Sequence, residues 1–147
     1  MIEGLILDSV GVSWFLGAYL GPRDKLETWV KPQVEAWSHV FMVLGQISRR
    51  QPQSAYAVLR MSLQPEWQYL KRTVPGVGTL MGPIEEVLRE KFFPALFGGE
   101  EINADFRKIL VHSVKHGGLG IPDPRLLAES AYNTSKAASG ELVESLL

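Results

Sequence analysis

The chain has 147 residues, of which 46% are hydrophobic, and a formal net charge of -1. This length and apolar content suit one globular domain with a buried core and exclude two large ones. The absence of cysteine excludes disulfide frameworks, thiolate catalysis and cysteine-ligated zinc, and it is typical of a reducing intracellular compartment, the nucleus or the cytosol. Because the net charge is close to zero, nucleic-acid binding would have to depend on a local basic patch.

The first residues do not read as a targeting segment. Glu3 stands where a secretory signal would carry Lys or Arg, and the apolar run from Val10 to Leu20 is interrupted by glycines and is shorter than a bilayer span. We therefore expect no signal peptide, no membrane anchor and no membrane partner.

An extended segment is predicted between residues 5 and 20. Apolar side chains occupy every second position there, as expected for one face of a strand: Val12, Trp14, Leu16, Ala18 and Leu20. This alternation predicts a short β-hairpin. The pair Gly21-Pro22 then ends the extended segment and introduces the helical part.

Two long helical stretches follow, and each contains a proline. Over residues 24–47 apolar side chains recur every three or four positions, and Pro32 predicts a kink or a restart near Lys31. The second stretch begins near Pro52 and runs toward residue 74. Pro65 lies inside it and predicts two shorter helices.

Three further helices are predicted toward the end of the chain. Pro83 suits the first turn of the next helix, and Pro94 predicts that this helix ends near residue 93. Asn103 is a typical N-cap for a short helix through residue 111. Asp123 and Pro124 resemble a cap and a first-turn proline for the last helix, which extends toward residue 146.

Two motifs invite a catalytic interpretation that the neighbouring residues oppose. His112 and His116 have the spacing of two zinc ligands on one helix face, but Ser113 replaces the glutamate of the His-Glu-x-x-His motif, and Gly117 ends the helix too early. We interpret them as surface or capping histidines. The glycine-rich run up to Gly120 lacks P-loop spacing and predicts a structural turn.

Metal-dependent phosphoryl transfer requires several carboxylates that converge on the cations. The aspartates of this chain are isolated in separate segments: Asp8, Asp24, Asp105 and Asp123. The glutamates lie mostly among lysines and arginines, where a solvated helix face is the usual meaning. We therefore predict a protein that is not an enzyme as an isolated chain and that has no cofactor and no metal.

One region combines basic and aromatic residues in the way that a strand-tracking nucleic-acid surface does. Its members are Arg49, Arg50, Arg60, Lys71 and Arg72, with Tyr56, Trp67 and Tyr69 among them and Glu66 as the one opposing charge. The alternative is structural: Trp67 and Tyr69 pack in the core, while Lys71 and Arg72 point to water. Composition alone favours this alternative.

Four segments in order resemble the region that follows the catalytic palm in reverse transcriptases of retroelements, of the non-LTR type or a related group. The similarity spans about residues 11–142, and its order and spacing are more specific than any single motif. The segments are Phe15-Leu16-Gly17-Ala18-Tyr19-Leu20-Gly21, Trp67-Gln68-Tyr69-Leu70-Lys71-Arg72-Thr73-Val74-Pro75, Phe92-Phe93-Pro94-Ala95-Leu96-Phe97-Gly98 and Gly117-Gly118-Leu119-Gly120-Ile121-Pro122-Asp123-Pro124.

This resemblance implies a fold and a role. Residues 1–21 would form a β-hairpin like the primer grip, with Phe15, Leu16 and Gly17 near the growing 3′ end, and residues 22–147 a helical domain like the thumb and connection. The patch with Arg49 and Arg72 would then contact an RNA·DNA or DNA duplex, and an upstream palm domain would be a partner. The family's catalytic Tyr-x-Asp-Asp motif is not in this chain, so polymerase activity is not implied.

We therefore expect a mainly α fold, a helical thumb-like bundle with a small N-terminal β-hairpin, acting as a noncatalytic module on template-primer nucleic acid. The alternative is a helical protein-interaction domain, or an orphan domain, without a nucleic-acid role. Pro32 and Pro65 count against regular thumb packing, because the resemblance favours continuous helices at these positions.

Overall fold

The computed structural model describes residues 6–7, 13–15 and 18–147, with side chains for Tyr19 and for residues 21–147. Three short strands lie at the start of this part: β1 Ile6–Leu7, β2 Ser13–Phe15 and β3 Ala18–Leu20. They form an antiparallel sheet in chain order, in which Phe15 pairs with Ala18. The extended segment ends at Leu20, directly before Gly21-Pro22.

Helices form most of the described chain, which confirms the prediction of a mainly α fold. A 3-10 turn at Arg23–Lys25 leads into the first long helix, and further 3-10 turns lie at Val77–Met81 and Val114–His116. The helices are α1 Leu26–Ser48, α2 (Pro52–Val58, a π turn Leu59–Leu63 and Gln64–Thr73), α3 (Gly82–Val87, a π turn Leu88–Phe92 and Phe93–Leu96), α4 Ala104–Val111 and α5 Ala128–Leu146.

Helix α1 is uninterrupted, which rules out a restart near Lys31 and leaves the kink at Pro32 as the remaining prediction. Pro32 lies inside the helix, and its ring removes the N–H that would bond to the carbonyl of Thr28. Both residues are exposed, so water can take the place of the missing donor. The opposite face carries the apolar residues that the helical period predicted, and all of them are buried: Leu26, Val30, Val34, Trp37, Phe41 and Leu44.

Helices α2 and α3 each pass through a proline that was expected to interrupt or end them. In α2 the N–H of Gln64 donates to the carbonyl of Leu59, five residues back, directly before Pro65. In α3 the N–H of Phe93 donates to Leu88 directly before Pro94. A π turn widens the helix by one residue at the place where proline has no N–H to donate, so the helix continues.

The core lies between α1, α2 and α3. Trp67 of α2 is fully buried, and its ring lies 5.6 Å from Phe41 and 6.4 Å from Trp37 of α1 between ring centroids. Phe92 of α3 contacts Phe41 edge to face at 6.1 Å. Aromatic pairs at these separations are favourable in tilted and edge-to-face geometry, and the burial of the rings supplies most of the stabilisation.

Helix α4 is joined to α3 by a buried ion pair. As predicted, the side chain of Asn103 caps α4, accepting a hydrogen bond from the N–H of Phe106 at 2.8 Å. Arg107 donates to Glu85 of α3 through two nitrogens, at 2.8 and 2.9 Å. Its third contact is the carbonyl of Ile121 at 2.7 Å. Every charge in this joint therefore has a partner.

Helix α5 begins later than predicted and is mostly exposed. Asp123 does not cap it; its carboxylate accepts the backbone N–H and the side chain of Arg125 in a turn before the helix. Leu127, with φ 62, precedes the first residue of α5, Ala128, which is the one buried residue of the helix. The helix packs on the second half of α2, and residues 136–147 are all exposed.

Candidate nucleic-acid interface

Two arginines of the predicted patch lie at the corner between α1 and α2. Arg49 and Arg50 follow the last turn of α1, and both are exposed. Neither makes an ion pair within the described part of the chain. Arg49 lines a cleft with Lys91 of α3, a residue that sequence reasoning missed because it lies forty-two positions away. The three cations form what we call the corner cluster: Arg49, Arg50 and Lys91.

A second group lies at the other end of α2. Arg72 is exposed, and Tyr69 is 37% exposed. Arg23, from the turn before α1, approaches this end: its Nη2 atom is 3.8 Å from the position that a Cβ on Gly76 would occupy. We call Arg23, Tyr69 and Arg72 the end cluster. Arg23 was not among the predicted residues, because only the folded chain brings it next to the end of α2.

The length of α2 sets the distance between the two clusters. Residues 52–73 rise about 33 Å at roughly 1.5 Å per residue. One turn of a B-form DNA duplex spans about 34 Å. The predicted patch is therefore two cationic groups separated by about one duplex turn rather than one continuous surface.

Burial removes Trp67 and Lys71 from the interface, which corrects their prediction as nucleic-acid contacts. Trp67 is 0% exposed and Lys71 is 2% exposed, because residues 67 and 71 face the interior of the helix packing. Burial lowers the pKa of Lys71, since the charged form loses water, and the negative charge of Asp123 opposes this shift. Glu66, the acidic member of the region, accepts a hydrogen bond from Trp37 at 2.6 Å.

Arg60 and Tyr56 hold the glycine-rich turn. Arg60 donates to the carbonyl of Gly120 at 2.7 Å, and the hydroxyl of Tyr56 donates to the carbonyl of Leu119 at 2.6 Å. A Cβ on Gly118 would lie 2.0 Å from the carbonyl oxygen of His112, so only glycine fits there. The prediction of a structural turn is confirmed, and Arg60, although exposed, has a structural role.

The predicted primer-grip residues are described only in part. Phe15 is the last residue of β2, and its backbone pairs with Ala18. Leu16 and Gly17 lie outside the described residues. Their contact with a primer end stays a prediction.

His112 and His116, the two histidines with the spacing of zinc ligands, lie on the surface. Both are exposed, His112 caps the end of α4, and His116 Nδ1 lies 2.9 Å from the hydroxyl of Ser113. Over the described ranges, no group of three or more histidine, aspartate or glutamate side chains could hold a metal ion. Among the same residues, no helix has the length and apolar character needed to cross a bilayer.

The carboxylate of Asp123 is held by its neighbours. Burial raises its pKa, but hydrogen bonds from the side chain and the backbone of Arg125, with the charges of Arg125 and Arg107, outweigh this effect. The net pKa of Asp123 is therefore lower than usual. The side-chain hydrogen bond to Asp123 and the negative charge of Asp123 raise the pKa of Arg125; the charge of Glu85 adds to this shift, and burial opposes it.

Comparison with protein-family models, with curated proteins and with solved structures finds no match to this chain. The resemblance to reverse transcriptases therefore rests on the sequence segments alone.

Proposed function

We propose that this chain is a noncatalytic nucleic-acid-binding module, with the role that the thumb and connection have in retroelement reverse transcriptases. In this proposal the corner cluster and the end cluster contact phosphates of one RNA·DNA or DNA duplex, about one turn apart. The hairpin predicted at residues 1–21 would contact the primer end, and an upstream palm domain would supply the chemistry.

The proposal depends on the exposure of three arginines and on their lack of ion-pair partners in the described part of the chain. Arg49, Arg50 and Arg72 are exposed at the two ends of α2 and form no ion pair within the described residues. From residue 36 to residue 65 the sequence has no aspartate or glutamate. Arg49 and Arg50 lie inside this stretch, so no carboxylate of the neighbouring sequence competes with phosphates for them; Arg72 lies outside it. Tyr69, which is 37% exposed, places an aromatic residue next to Arg72, a combination typical of strand-tracking surfaces.

A titration of a labelled RNA·DNA duplex at several salt concentrations tests this proposal. Each phosphate neutralised contributes about 0.9 to the slope of log affinity against log salt. The double variant Arg49→Gln/Arg50→Gln should therefore lower the slope by about two. A matched control, Lys115→Gln/Lys136→Gln, removes two exposed charges elsewhere and should leave the slope close to wild type.

Two results would contradict the proposal. One is an equal slope change in the variant and the control, which would mean that net charge alone matters. The other is magnesium-dependent incorporation of nucleotides by the pure chain, which would contradict its noncatalytic character, because no carboxylate cluster for two cations was found in the sequence.

A second candidate function is protein interaction without nucleic acid. It is favoured by exposed aliphatic side chains on α1, where Val40, Val43 and Ile47 are 37%, 41% and 42% exposed. Under this alternative the duplex would not be retained at any salt concentration, while size-exclusion chromatography would show association.

A further inference from the structure

A groove lined by aromatic residues lies between α1 and the second half of α2. Trp29, Gln33 and Trp37 follow each other at steps of four residues, so they share one face of α1. Glu66 and Tyr69 of α2 line the groove from the other side. Its volume is about 390 Å³, within the range of roughly 300–1,000 Å³ that is typical of small-ligand sites. We call the groove lined by these five residues the aromatic groove.

One carboxylate is held at this groove. Trp37, which is 4% exposed, donates its indole N–H to Oε2 of Glu66 at 2.6 Å. Glu66 is exposed and makes no ion pair within the described part of the chain. An ionised carboxylate only accepts hydrogen bonds, and its two oxygens offer about four acceptor positions. Because Trp37 uses one of them, the others remain for a ligand that carries N–H donors.

Two cations lie beside the aromatic groove, at the end of α2. Arg72 is exposed and comes three residues after Tyr69, so the two residues are neighbours on the helix surface. Arg23 approaches the same end of the helix. These charges repel an organic cation, the ligand that aromatic rings otherwise favour, and they attract a phosphate. The groove therefore suits a neutral, planar group that has N–H donors and is attached to a phosphate.

A nucleobase has this chemistry, and guanine matches the carboxylate best. The Watson–Crick edge of guanine carries two adjacent donors, N1–H and the N2 amino group, which can both donate to one carboxylate. Adenine and cytosine present one donor beside an acceptor, and uracil presents one donor between two acceptors. An acceptor placed against a carboxylate oxygen is left without a partner. A proline-rich peptide also docks on aromatic grooves, but it brings few N–H groups for the carboxylate.

We propose that the aromatic groove binds an unpaired guanine base from a single-stranded extension of the bound nucleic acid. The base stacks on the aromatic side chains, its N1–H and N2 amino group donate to Glu66, and its phosphate lies toward Arg72. This inference rests on the proposed nucleic-acid function. It adds a base preference at the end cluster, which phosphate contacts alone do not supply.

Fluorescence anisotropy of the full chain with three labelled RNA·DNA duplexes tests the base preference. The duplexes differ only in a short single-stranded extension, which reads GAGA, IAIA or AAAA, where I is inosine and lacks the N2 amino group. The GAGA extension should bind about tenfold more tightly than AAAA, and IAIA should be intermediate. Equal affinity for the three extensions overturns the proposal.

The variant Glu66→Gln tests whether the carboxylate reads the base. Its amide oxygen can still accept from Trp37, but its amide nitrogen is a donor and cannot accept from guanine. The ratio of the GAGA affinity to the AAAA affinity should therefore fall to about one. The matched control Glu144→Gln removes an exposed carboxylate of α5 and should keep the wild-type ratio, because net charge changes both affinities equally. A ratio that Glu66→Gln leaves unchanged overturns the proposal.

The variant Tyr69→Leu tests stacking in the groove. It should weaken binding of the GAGA duplex by about tenfold relative to a blunt duplex, and Tyr69→Phe should restore the affinity, because a phenyl ring also stacks on a base. If Tyr69→Leu weakens the blunt and the GAGA duplex equally, the base does not lie in the groove and the proposal fails.

Two further measurements separate this proposal from its alternatives. Tryptophan fluorescence is titrated with guanosine monophosphate and with tetramethylammonium; a response to guanosine monophosphate is expected, and a response to tetramethylammonium alone would define a cation site and overturn the proposal. Binding of the blunt duplex is measured in parallel. If the blunt duplex binds while all extensions bind alike, the guanine site is refuted and the nucleic-acid proposal stands, whereas a chain that binds no duplex refutes both.

Discussion

The joint between α3 and α4 and the corner between α1 and α2 use the same residue type in opposite ways. At the joint, the side chains of Arg107 and Glu85 are 8% and 4% exposed, and each of the three guanidinium nitrogens donates to the carboxylate or to a carbonyl. At the corner, Arg49 and Arg50 are exposed without an ion pair among the described residues. Buried, paired charge fixes the fold, whereas exposed, unpaired charge is available to a ligand.

Removing one member of the buried pair gives the largest expected effect. Arg107→Met leaves the carboxylate of Glu85 buried without a partner, which should lower the free energy of unfolding by about 3–5 kcal/mol. Urea unfolding measures the loss. The double variant Glu85→Met/Arg107→Met removes both charges and should recover most of it. A double variant as unstable as the single one would show that the pair acts through shape rather than charge.

Lys71 sharpens the comparison, because it is a buried cation with no ion pair in the described part of the chain. Its pKa is lowered from the ordinary value of 10.5, chiefly by burial. The unfolded chain therefore holds this proton to higher pH than the folded chain, so the stability that Lys71 costs at neutral pH returns as pH rises through the lowered pKa.

Lys71→Met should accordingly stabilise the protein at pH 7, because it removes a cation that loses water on folding. The advantage over wild type should shrink as pH rises toward 10.5. Urea unfolding at a series of pH values measures this difference. If the difference in free energy of unfolding between the variant and wild type does not change with pH, Lys71 stays protonated in the folded protein. That result would contradict the lowered pKa of Lys71.

The Asp123–Arg125 pair is intermediate between the buried Arg107–Glu85 pair and the exposed arginines of the corner. Its side chains are 14% and 51% exposed. Because solvent screens such a pair, Asp123→Asn should cost only about 0.5–1 kcal/mol at pH 7. The pKa of Asp123 is below its ordinary value, so its contribution is present above that value and is lost as pH falls through the lowered pKa. Thermal unfolding of both proteins should therefore converge in acid.

Local patterns predicted much of this fold, and long-range packing decided the rest. The three-to-four spacing of α1 and the cap at Asn103 depend only on residues that are close in sequence. Both features could therefore be predicted from the sequence. The helices through Pro65 and Pro94 were missed because a π turn rearranges hydrogen bonds in a way that proline rules do not consider. At Asp123, contact with Arg125 replaced the expected cap.

The sequence predicted which types of residue form the candidate site, but not which of them are exposed or which distant residues join them. The arginines at both ends of α2 were identified as candidates, but the spacing Leu63, Trp67, Leu70, Val74 also marks a buried helix face, and Trp67 belongs to it. Lys71 is four residues after Trp67, so it lies on the same face of the helix and is buried with it. Lys91 and Arg23 come from distant segments, and no local pattern relates them to the patch.

The most direct test of the nucleic-acid proposal is the salt slope of the triple variant Arg49→Gln/Arg50→Gln/Arg72→Gln on an RNA·DNA duplex longer than one turn. If both ends of α2 contact one duplex, the slope should fall by about 2.7, which is roughly 0.9 for each arginine. Circular dichroism should show an unchanged helix content. A slope that falls no further than in the double variant at the corner would contradict the two-ended contact, and a wild type that does not bind would contradict the proposal itself.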